Sequence, residues 1–572
     1  MDLAAVSAGP GRLAQPSGRA TLRSTLSHIL PGGHRLRRLR RIPTLVFALG
    51  LGAGALTAQS GNRQETIVIV TGQAAAAPIP TLIGSRADQE VADLLFLPLA
   101  RLGTTLMTAG DKGFEPQLAR SWSRRDSLTL VFELDPRARW HDGVSVTARD
   151  VVLALSLGRD PAVDPQRALL LRRIADVRTE GARGVVVRFT EAYNEQLYDA
   201  VFHIAPLPAH LLDTIPRGGL ASSAFAQAPI GNGPYRWSRR EAAQQLELVA
   251  NESFFLGRPG IQRVVFLTVR DPDAQVNLFL SGTADVLSIV SLPALPRVEA
   301  AADAQLFAVP TFAVGYLLFN QRDPANRALP HPILTDPGVR RAIAVALDRV
   351  TLVRAAFGDY ASVPEGPVGQ LHWIRDPSLH PAAPDPAGAR ELLRARGWAD
   401  SDRDGILEKE GRPLKLRLNY PATSATRAQM AVQIQEQLRQ VGVGIELNRL
   451  DAPVWMSRRN QGDFDIDFAS ASLDPSPSGL VQSWSCEGRN GSNVAQYCNP
   501  RVDSLLNAAQ SRRINALQTY RDAVRTIVAD VPAVFLFAPV NPVAIQGRIA
   551  NVALRPDSPW ALLWRWTIRP PR

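Results

Sequence analysis

The sequence lacks the signatures of the common enzyme classes. Its 572 residues contain no H-E-x-x-H motif, no G-x-S-x-G nucleophile elbow, no Walker A loop and no G-x-G-x-x-G turn after a strand. The eight histidines are scattered, and His141 in the segment WHDG is interpreted as a turn residue. Nothing marks a pair of carboxylates for glycoside chemistry. These absences favour binding over catalysis, with a secreted hydrolase as the less favoured alternative.

Lysine is almost absent, and only Lys112, Lys409 and Lys415 occur. The positive charges behind the net charge of +11 therefore come almost entirely from arginine. Residues 1–55 hold eight Arg and one acid, a balance of +7, which leaves +4 for the other 517 residues. A charge concentrated in one terminal segment does not describe a basic face for nucleic acid. No nucleic-acid partner is expected.

One long apolar run occurs, close to the N-terminus. The basic segment HRLRRLRR (34–41) precedes an apolar run of about 17 residues and then the polar segment QSGNRQE. This order is typical of a secretory signal peptide, with the A-G-A at 53–55 as the cleavage site and Ala58 as the alternative. We therefore expect residues 1–58 to be an N-terminal extension and signal peptide, and the mature protein to be periplasmic or otherwise extracytoplasmic. An uncleaved signal that anchors the protein in the membrane is the alternative.

Cysteine is also scarce. The two cysteines, Cys486 and Cys498, lie twelve positions apart in the Gly- and Asn-rich segment WSCEGRNGSNVAQYCNP. In the oxidising compartment that a signal peptide implies, such a pair predicts a disulfide that closes a surface loop. A metal-binding pair is the alternative, but no histidine lies nearby.

Strand and helix patterns alternate along the rest of the chain. Apolar segments bounded by turn residues predict strands at 127–136, 184–191, 263–269, 315–320, 413–421 and 533–540. Helices are predicted from a capping box at Thr147 and Asp150, from Asp-Pro pairs at 336–337 and 385–386, and from the segments 389–398 and 427–442. The mixture predicts an α/β fold with several discontinuous lobes.

The segment DSDRDGILEKEG resembles the first half of a calcium loop. Asp400, Asp402 and Asp404 alternate and are followed by Gly405, as in loops that wrap a hard cation with carboxylate oxygens. The twelfth position is Gly411 instead of a bidentate Glu. We favour a solvated acidic hairpin between a helix and a strand, with a structural calcium site as the alternative.

Several long segments between residues 115 and 442 together carry a resemblance to one protein family. They are EPQLARSWSRRDSLTLVFELDPRARWHDGVSVTARDVVLAL (115–155), PIGNGPYRW (229–237), NESFFLGRPGIQRVVFLTVRDPDAQVNLFLSGTADVL (251–287), DPGVRRAIAVALDRVTLVRAAFGDYASVPEGPV (336–368) and the helix 427–442. In this order they resemble the family 5 extracellular solute-binding proteins, the dipeptide and oligopeptide receptors of ABC importers.

The resemblance implies a periplasmic-binding-protein-like fold of type II, cluster C, with two lobes, a hinge and an extra domain in the N-terminal lobe. The implied domain I comprises 64–87, 223–311 and 541–572, domain II comprises 88–222, and domain III, the second lobe, comprises 312–540. The segment PIGNGPY then becomes the turn at which the chain returns to domain I and begins new strands. Its prolines and glycines have an architectural role.

The same resemblance implies a receptor that captures an oligopeptide or dipeptide between two lobes. The receptor delivers the peptide to the permease of an ABC transporter and, through the permease, to the ATPase subunits. A non-peptide solute such as a nickel complex, a sugar, an opine or haem is the alternative ligand, and an adaptor without a transporter is the alternative role. We expect no catalytic residue, no required cofactor and a monomer.

The charge anchors of dipeptide-type members are not matched. In those members an Asp that binds the amino terminus lies shortly before the Asp-Pro of a segment resembling FASASLDPSPSGL, and its place here is Ala471. The Arg that binds the carboxylate follows the proline after a strand resembling KLRLNYP, and its place here is Ser424. These departures weaken a dipeptide assignment and leave longer peptides or another solute open.

Five residues are the candidate ligand-binding residues. Asp474 is a candidate for a displaced amine anchor, with an Asp-Pro turn as the alternative. Arg427 is a candidate partner for a carboxylate, with a solvated helix position as the alternative. Trp484 and Trp373 are candidate stacking surfaces or core residues, and Asn493 is a candidate contact for ligand backbone or a turn residue.

Overall fold

The computed structural model describes residues 63–241, 244–511 and 515–570. The predicted signal peptide, residues 1–58, lies outside the described residues. No helix in the described part of the chain is both long and apolar enough to cross a membrane.

Twenty-two strands and sixteen α-helices are present in the described residues. The strands are β1 (Thr66–Thr71), β2 (Ala100–Leu102), β3 (Phe114–Pro116), β4 (Ala119–Asp126), β5 (Thr129–Leu134), β6 (Ile174–Glu180), β7 (Gly184–Phe189), β8 (Tyr235–Glu241), β9 (Gln245–Ala250), β10 (Arg263–Thr268), β11 (Val286–Leu287), β12 (Ala304–Pro310), β13 (Ala313–Phe319), β14 (Ala361–Ser362), β15 (Glu408–Lys409), β16 (Arg412–Pro413), β17 (Lys415–Pro421), β18 (Gly444–Leu450), β19 (Ile466–Ser472), β20 (Ala533–Gln546), β21 (Ile549–Ala550) and β22 (Thr567–Ile568). The helices are α1 (Arg86–Leu95), α2 (Ala148–Gly158), α3 (Pro165–Leu170), α4 (Gln196–Val201), α5 (Ala209–Leu212), α6 (Ala224–Gln227), α7 (Pro272–Leu280), α8 (Leu295–Glu299), α9 (Pro337–Ala346), α10 (Arg349–Phe357), α11 (Pro386–Arg394), α12 (Ala425–Arg439), α13 (Ala452–Gln461), α14 (Gly479–Trp484), α15 (Pro500–Gln510) and α16 (Ala516–Asp530).

The main sheet has twelve strands, and its central order is β18-β17-β19-β13-β20-β11-β1-β10-β9-β8, with β12 and β14 also paired to β20. The strand β1 is parallel to β10 and β11, and β17 is parallel to β18 and β19, whereas the remaining pairs are antiparallel. This mixed pairing is the predicted α/β structure. It excludes a single βαβ series.

The strand β20 joins the two ends of this sheet. Its first residues pair with β13, and its last residues pair with β11 and β12. Only Thr311 and Phe312 separate β12 from β13, and the Thr311 hydroxyl donates a hydrogen bond of 2.7 Å to the Pro539 carbonyl. We call residues 63–311 and 541–570 the first half and residues 312–540 the second half. The predicted limits of domain III, 312 and 540, fall at these crossing segments, and the predicted domains I, II and III stay predictions.

A separate antiparallel sheet in the first half has the order β4-β5-β7-β6. Helix α2 packs on it and begins at the predicted capping box, where Asp150 accepts a hydrogen bond of 2.6 Å from the Thr147 backbone N–H. The other oxygen of Asp150 accepts from the Ala209 N–H at 2.8 Å. One buried carboxylate thus fixes the start of two helices.

The core of the second half lies on both faces of the sheet. Leu317 and Phe319 of β13 belong to the cluster that packs under α9, α11 and α12, whereas Val314 and Tyr316 face a cluster with α15 and α16. Successive side chains of a strand point to opposite faces, and here both faces are covered by helices. This explains why β13 is apolar along its whole length.

The segment PIGNGPY forms a tight turn against the C-terminal end of α1. The backbone N–H groups of Asn232 and Gly233 both donate to the Leu95 carbonyl, at 2.9 and 2.8 Å. A Cβ atom on Gly231 or Gly233 would collide with that carbonyl oxygen, so both positions require glycine. The strand β8 then begins with Tyr235, which is fully buried.

Candidate functional site

A cavity of about 520 Å³ contains residues of both halves. The first half contributes residues 80–102, 167–205 and 557–561, and the second half contributes Asp474. A larger depression of about 820 Å³ is lined by the first half alone, and its Arg548 is already paired with Asp285 at 2.7 Å. The cavity that includes Asp474 is therefore the candidate site, because it lies where the two halves meet.

Besides the Thr311 hydrogen bond, four polar side-chain contacts join the two halves in the described residues, and one of them is the hydrogen bond of 2.5 Å that Arg173 donates to the side-chain oxygen of Gln510. Ser476 donates to Glu195 at 2.7 Å, and the Trp373 indole N–H donates to the Thr108 hydroxyl at 2.9 Å. The amide of Asn194 donates to the carbonyls of Ala509 and Ser511 at 3.1 and 2.7 Å. Each contact joins residues that are more than 260 positions apart. The site is thus assembled by tertiary structure.

Glu195 is the buried centre of these contacts. Its carboxylate accepts hydrogen bonds from the hydroxyls of Thr108 and Ser476. Burial raises its pKa, and the negative charge of Asp474 adds to this effect, while the two hydroxyl donors lower the pKa. Neighbouring Asp199 accepts from the Tyr193 hydroxyl at 2.7 Å, and burial raises the pKa of Asp199 to about 7.

Asp474 lines the cavity and reaches solvent there, and its role as an amine anchor stays a prediction. Crowding by the cavity walls removes part of its hydration and raises the pKa of its carboxyl. Its backbone carbonyl accepts from Nε2 of buried His372 at 3.1 Å, and Nδ1 of His372 accepts from the Gly369 N–H at 3.0 Å. The imidazole therefore fixes the Asp-Pro turn, whereas the carboxylate stays directed to the cavity.

The other candidate residues have different surroundings. Trp373 donates to Thr108 across the two halves and contacts Tyr520 edge to face at 5.9 Å. Trp484 is buried in the core of the second half, edge to face with Phe535 at 5.6 Å. Arg427 donates to the Ser470 hydroxyl at 2.5 Å on another part of the sheet.

Asn493 belongs to the disulfide loop. Its amide donates to the carbonyls of Ser485 and Tyr497 at 2.9 and 2.7 Å, and its side chain is buried. Cys486 and Cys498 are joined by a disulfide that closes this loop. Of the five candidates only Asp474 lines the cavity, and Arg427, Trp373, Trp484 and Asn493 do not. Their ligand-binding roles stay predictions.

The acidic loop brings together the three predicted aspartates and Glu408, with one oxygen of each within 4.8 Å of the others. Carboxylate oxygens suit calcium, and Glu408 is the ninth residue from Asp400, a ligand position that the sequence pattern contains. All four carboxylates already accept hydrogen bonds within the loop. Asp402 accepts from the Asp404 N–H at 3.0 Å, Asp404 from the Ile406 N–H at 2.7 Å and Asp400 from the Gly405 N–H at 3.3 Å. Glu408 accepts from the N–H and the hydroxyl of Ser401, both at 2.8 Å. The calcium site stays a prediction.

The comparisons with known proteins identify the family. The model for bacterial extracellular solute-binding proteins, family 5 middle region, matches residues 113–492. The oligopeptide-binding protein AppA from Bacillus subtilis is 25% identical over 458 residues, which are 78% of this chain and 82% of AppA. The structure of AppA in complex with a nonapeptide covers 88% of this chain and 99% of AppA with a TM-score of 0.72 at 22% identity. NikZ from Campylobacter jejuni in complex with Ni(L-His) covers 88% of this chain and 99% of NikZ with a TM-score of 0.71 at 21% identity. The predicted fold is confirmed, and the chain belongs to the bacterial extracellular solute-binding proteins of family 5.

Proposed function

We propose that this protein captures a peptide between its two halves and delivers it to the permease and ATPase subunits of an ABC importer. Family membership supports the receptor role, and the similarity to a protein described as oligopeptide-binding supports a peptide ligand. The observation that carries the proposal is the cavity of about 520 Å³ at the meeting point of the two halves. A ligand that contacts both halves favours the closed state by its differential affinity for that state.

The test uses the purified mature chain and a panel of free peptides. Peptide binding should raise the melting temperature, because a ligand at one hundred times its Kd stabilises the folded state by about 2.7 kcal/mol. Mass spectrometry should recover every peptide with its covalent bonds intact. Consumption of a peptide would instead favour a hydrolase.

A nickel complex is the second candidate ligand. The observation that favours it is the fold similarity to NikZ, whose structure contains Ni(L-His). The discriminating measurement adds Ni(L-His) to the same thermal assay. Stabilisation by this complex, without stabilisation by any peptide, would replace the peptide proposal.

We also propose that the protein acts outside the cytoplasm as a monomer and needs no cofactor to bind its ligand. The basic and apolar pattern of residues 1–58 supports export. Amino-terminal sequencing of the exported protein tests cleavage near residues 53–58. Light scattering tests the monomer, and the peptide affinity should be the same with and without EGTA.

A further inference from the structure

Six ionisable side chains line the cavity, and their partners divide them into two groups. They are Asp93, Arg101, Arg167, His203, Asp474 and Asp557. Asp93 accepts from Ser558 and from Gln89, and Asp557 accepts two hydrogen bonds from Arg555 at 2.9 and 2.8 Å.

Arg167 and His203 have partners as well. Arg167 contacts Asp164 at 3.2 Å and donates to the His203 carbonyl at 2.9 Å, and the His203 imidazole lies 4.0 Å from Asp199. Among residues 63–241, 244–511 and 515–570, neither the Arg101 guanidinium nor the Asp474 carboxylate makes a hydrogen bond or an ion pair. The cavity thus contains one positive and one negative group without a hydrogen-bonded or ion-paired partner, although the negative charges of Asp93, Asp557 and Glu115 act on Arg101.

The surroundings of Asp474 are short of positive charge. Its negative charge raises the pKa values of Glu195, Asp199 and Tyr198. The Arg173 guanidinium lies near this group, but it contacts Glu191 at 2.9 Å and Gln510 at 2.5 Å. A ligand ammonium at Asp474 would relieve the mutual repulsion of these carboxylates.

A buried hydroxyl next to Asp474 also lacks a partner. Tyr198 is 1% exposed, and its hydroxyl makes no hydrogen bond of acceptable geometry within the described residues, although the Ser476 backbone N–H lies close to it. Buried polar groups in folded proteins are nearly always hydrogen-bonded, but Tyr198 does not line the cavity, so its hydroxyl adds to the polar surroundings of Asp474 and does not itself mark a place for the ligand.

Arg101 is the positive group of the cavity whose N–H groups make no hydrogen bond within the described residues. It lies on β2, opposite Glu115 of β3, and burial together with the positive charge of Arg555 lowers its pKa. The nearby carboxylates of Asp93 and Asp557 are already held by other donors. The planar guanidinium can therefore offer parallel N–H groups to a ligand carboxylate.

The wall of the cavity between charged groups is apolar. Phe96, Leu170, Val201, Phe202 and Ile204 line it, and Phe202 and Leu170 are each 36% exposed. The volume of about 520 Å³ lies within the range of roughly 300–1,000 Å³ that is usual for small-ligand sites. A ligand with two opposite charged ends and an apolar side chain would match all three features.

Building on the proposed function, we propose that Asp474 and Arg101 are the two charge anchors of a short zwitterionic peptide. Asp474 binds the free ammonium end, Arg101 binds the free carboxylate end, and an apolar side chain packs on Phe202 and Leu170. These anchors stand in for the charges that are absent at Ala471 and Ser424. They restrict ligand length, because both ends must lie in one cavity.

The test measures Kd by calorimetry for the dipeptide Leu-Phe, its N-acetyl form, its C-terminal amide and a nonapeptide. Blocking either end should weaken binding to the unmodified protein by about 10- to 100-fold, as expected when one member of a buried charge pair is removed. In the variant Asp474→Asn, acetylation of the peptide should raise Kd by less than about threefold, whereas the C-terminal amide should still raise Kd by the full factor. In the variant Arg101→Gln, the amide should have the small effect on Kd and acetylation should have the full effect.

Matched controls are Asp273→Asn and Arg412→Gln, which change exposed charges away from the cavity and should leave every Kd unchanged. The blocked peptides test the anchors on the unmodified protein even where a variant folds poorly. Equal affinity for free and blocked dipeptides, or tight binding of the nonapeptide alone, would overturn the anchors and keep the peptide receptor. Failure of all four peptides to bind would overturn both proposals.

Discussion

His141, His203 and His372 are neutral imidazoles in the folded protein. Burial lowers the pKa of each to about 4. His141 accepts a hydrogen bond from the Gly231 N–H at Nδ1 and donates from Nε2 to the Gly233 carbonyl, both at 3.1 Å. This pair of bonds requires the neutral tautomer, because a protonated Nδ1 cannot accept. His141 thus clamps the PIGNGPY turn.

Replacing His141 by Leu should lower the free energy of unfolding by about 1–3 kcal/mol at pH 7.5, because the Gly231 N–H loses its acceptor. The folded pKa of about 4 lies below the ordinary value of 6.5, so the unfolded chain binds more protons between these values. The difference in stability between the unmodified protein and the variant should be full above about pH 6.5 and shrink as the pH falls toward 4. Urea unfolding at several pH values measures it.

The test compares the unmodified protein with the variant, because buried aspartates change the free energy of unfolding with pH in the opposite direction to the histidines. Burial raises the pKa of Asp93, Asp199 and Asp467 to about 6, 7 and 6, and these groups favour folding as the pH falls through the same window. The exposed His380 supplies the control variant His380→Leu, which removes a histidine outside the turn and should leave the free energy of unfolding at pH 7.5 unchanged. An equal pH dependence in both variants would contradict the role of His141.

At the scale of elements, the disulfide loop between α14 and α15 gives a second prediction. The bond joins residues twelve positions apart, and a loop of this size is stabilised by roughly 3 kcal/mol in the chain-entropy model. The double variant Cys486→Ser, Cys498→Ser should therefore have a free energy of unfolding that is lower by a comparable amount, and it should unfold at a lower urea concentration. Adding reductant should destabilise the unmodified protein and leave the double variant unchanged. Reductant that lowers the stability of both proteins equally would contradict the prediction.

The sequence predicted those elements whose signal is local. The apolar strands β7, β10 and β17 lie within one or two residues of the predicted segments, and α9 and α11 begin at the predicted Asp N-caps. The strand β20 is longer than predicted and continues to Gln546. Its second part, which reads VNPVAIQ, contains Asn and Pro where a strand signal would end.

Strands with polar faces were missed for a physical reason. The strand β4, ARSWSRRD, has only Ala119 buried and is held by its pairing with β5. The hydrogen bonds to a neighbouring strand decide such strands, and the apolar pattern of the strand itself contains no record of that pairing. The same holds for β18, which gains its place beside β17 through the helix α12 packed against it.

At the scale of the whole molecule, some residues of the candidate site can be predicted from the local sequence and others cannot. Asp474 is found from the sequence because Asp-Pro is a visible turn signal in a segment that resembles a family motif. Arg101, Glu195 and Tyr198 carry no local mark, since their importance comes from contacts with residues in other parts of the chain. Burial and missing partners become visible only when the fold is known.

Two adjacent segments connect the halves, the Thr311–Phe312 link and the middle of β20. Such an arrangement suits a hinge, because rotation at a few strand residues can separate the contacts that join the two halves. The contacts of Asn194 with the second half then contribute free energy to the closed state alone.

Replacing Asn194 by Ala should shift the ligand-free protein toward the open state, because the Ala509 and Ser511 carbonyls lose their donor while both halves keep their cores. Two hydrogen bonds of about 0.5–1.5 kcal/mol each correspond to a loss of peptide affinity of roughly 5- to 150-fold. Small-angle scattering should give a larger radius of gyration without ligand and the unmodified value at saturating peptide. The exposed Asn507→Ala on α15 is the control and should change neither quantity. An affinity loss without any change in the ligand-free scattering profile would place the effect of Asn194 in the site itself and contradict its role in closure.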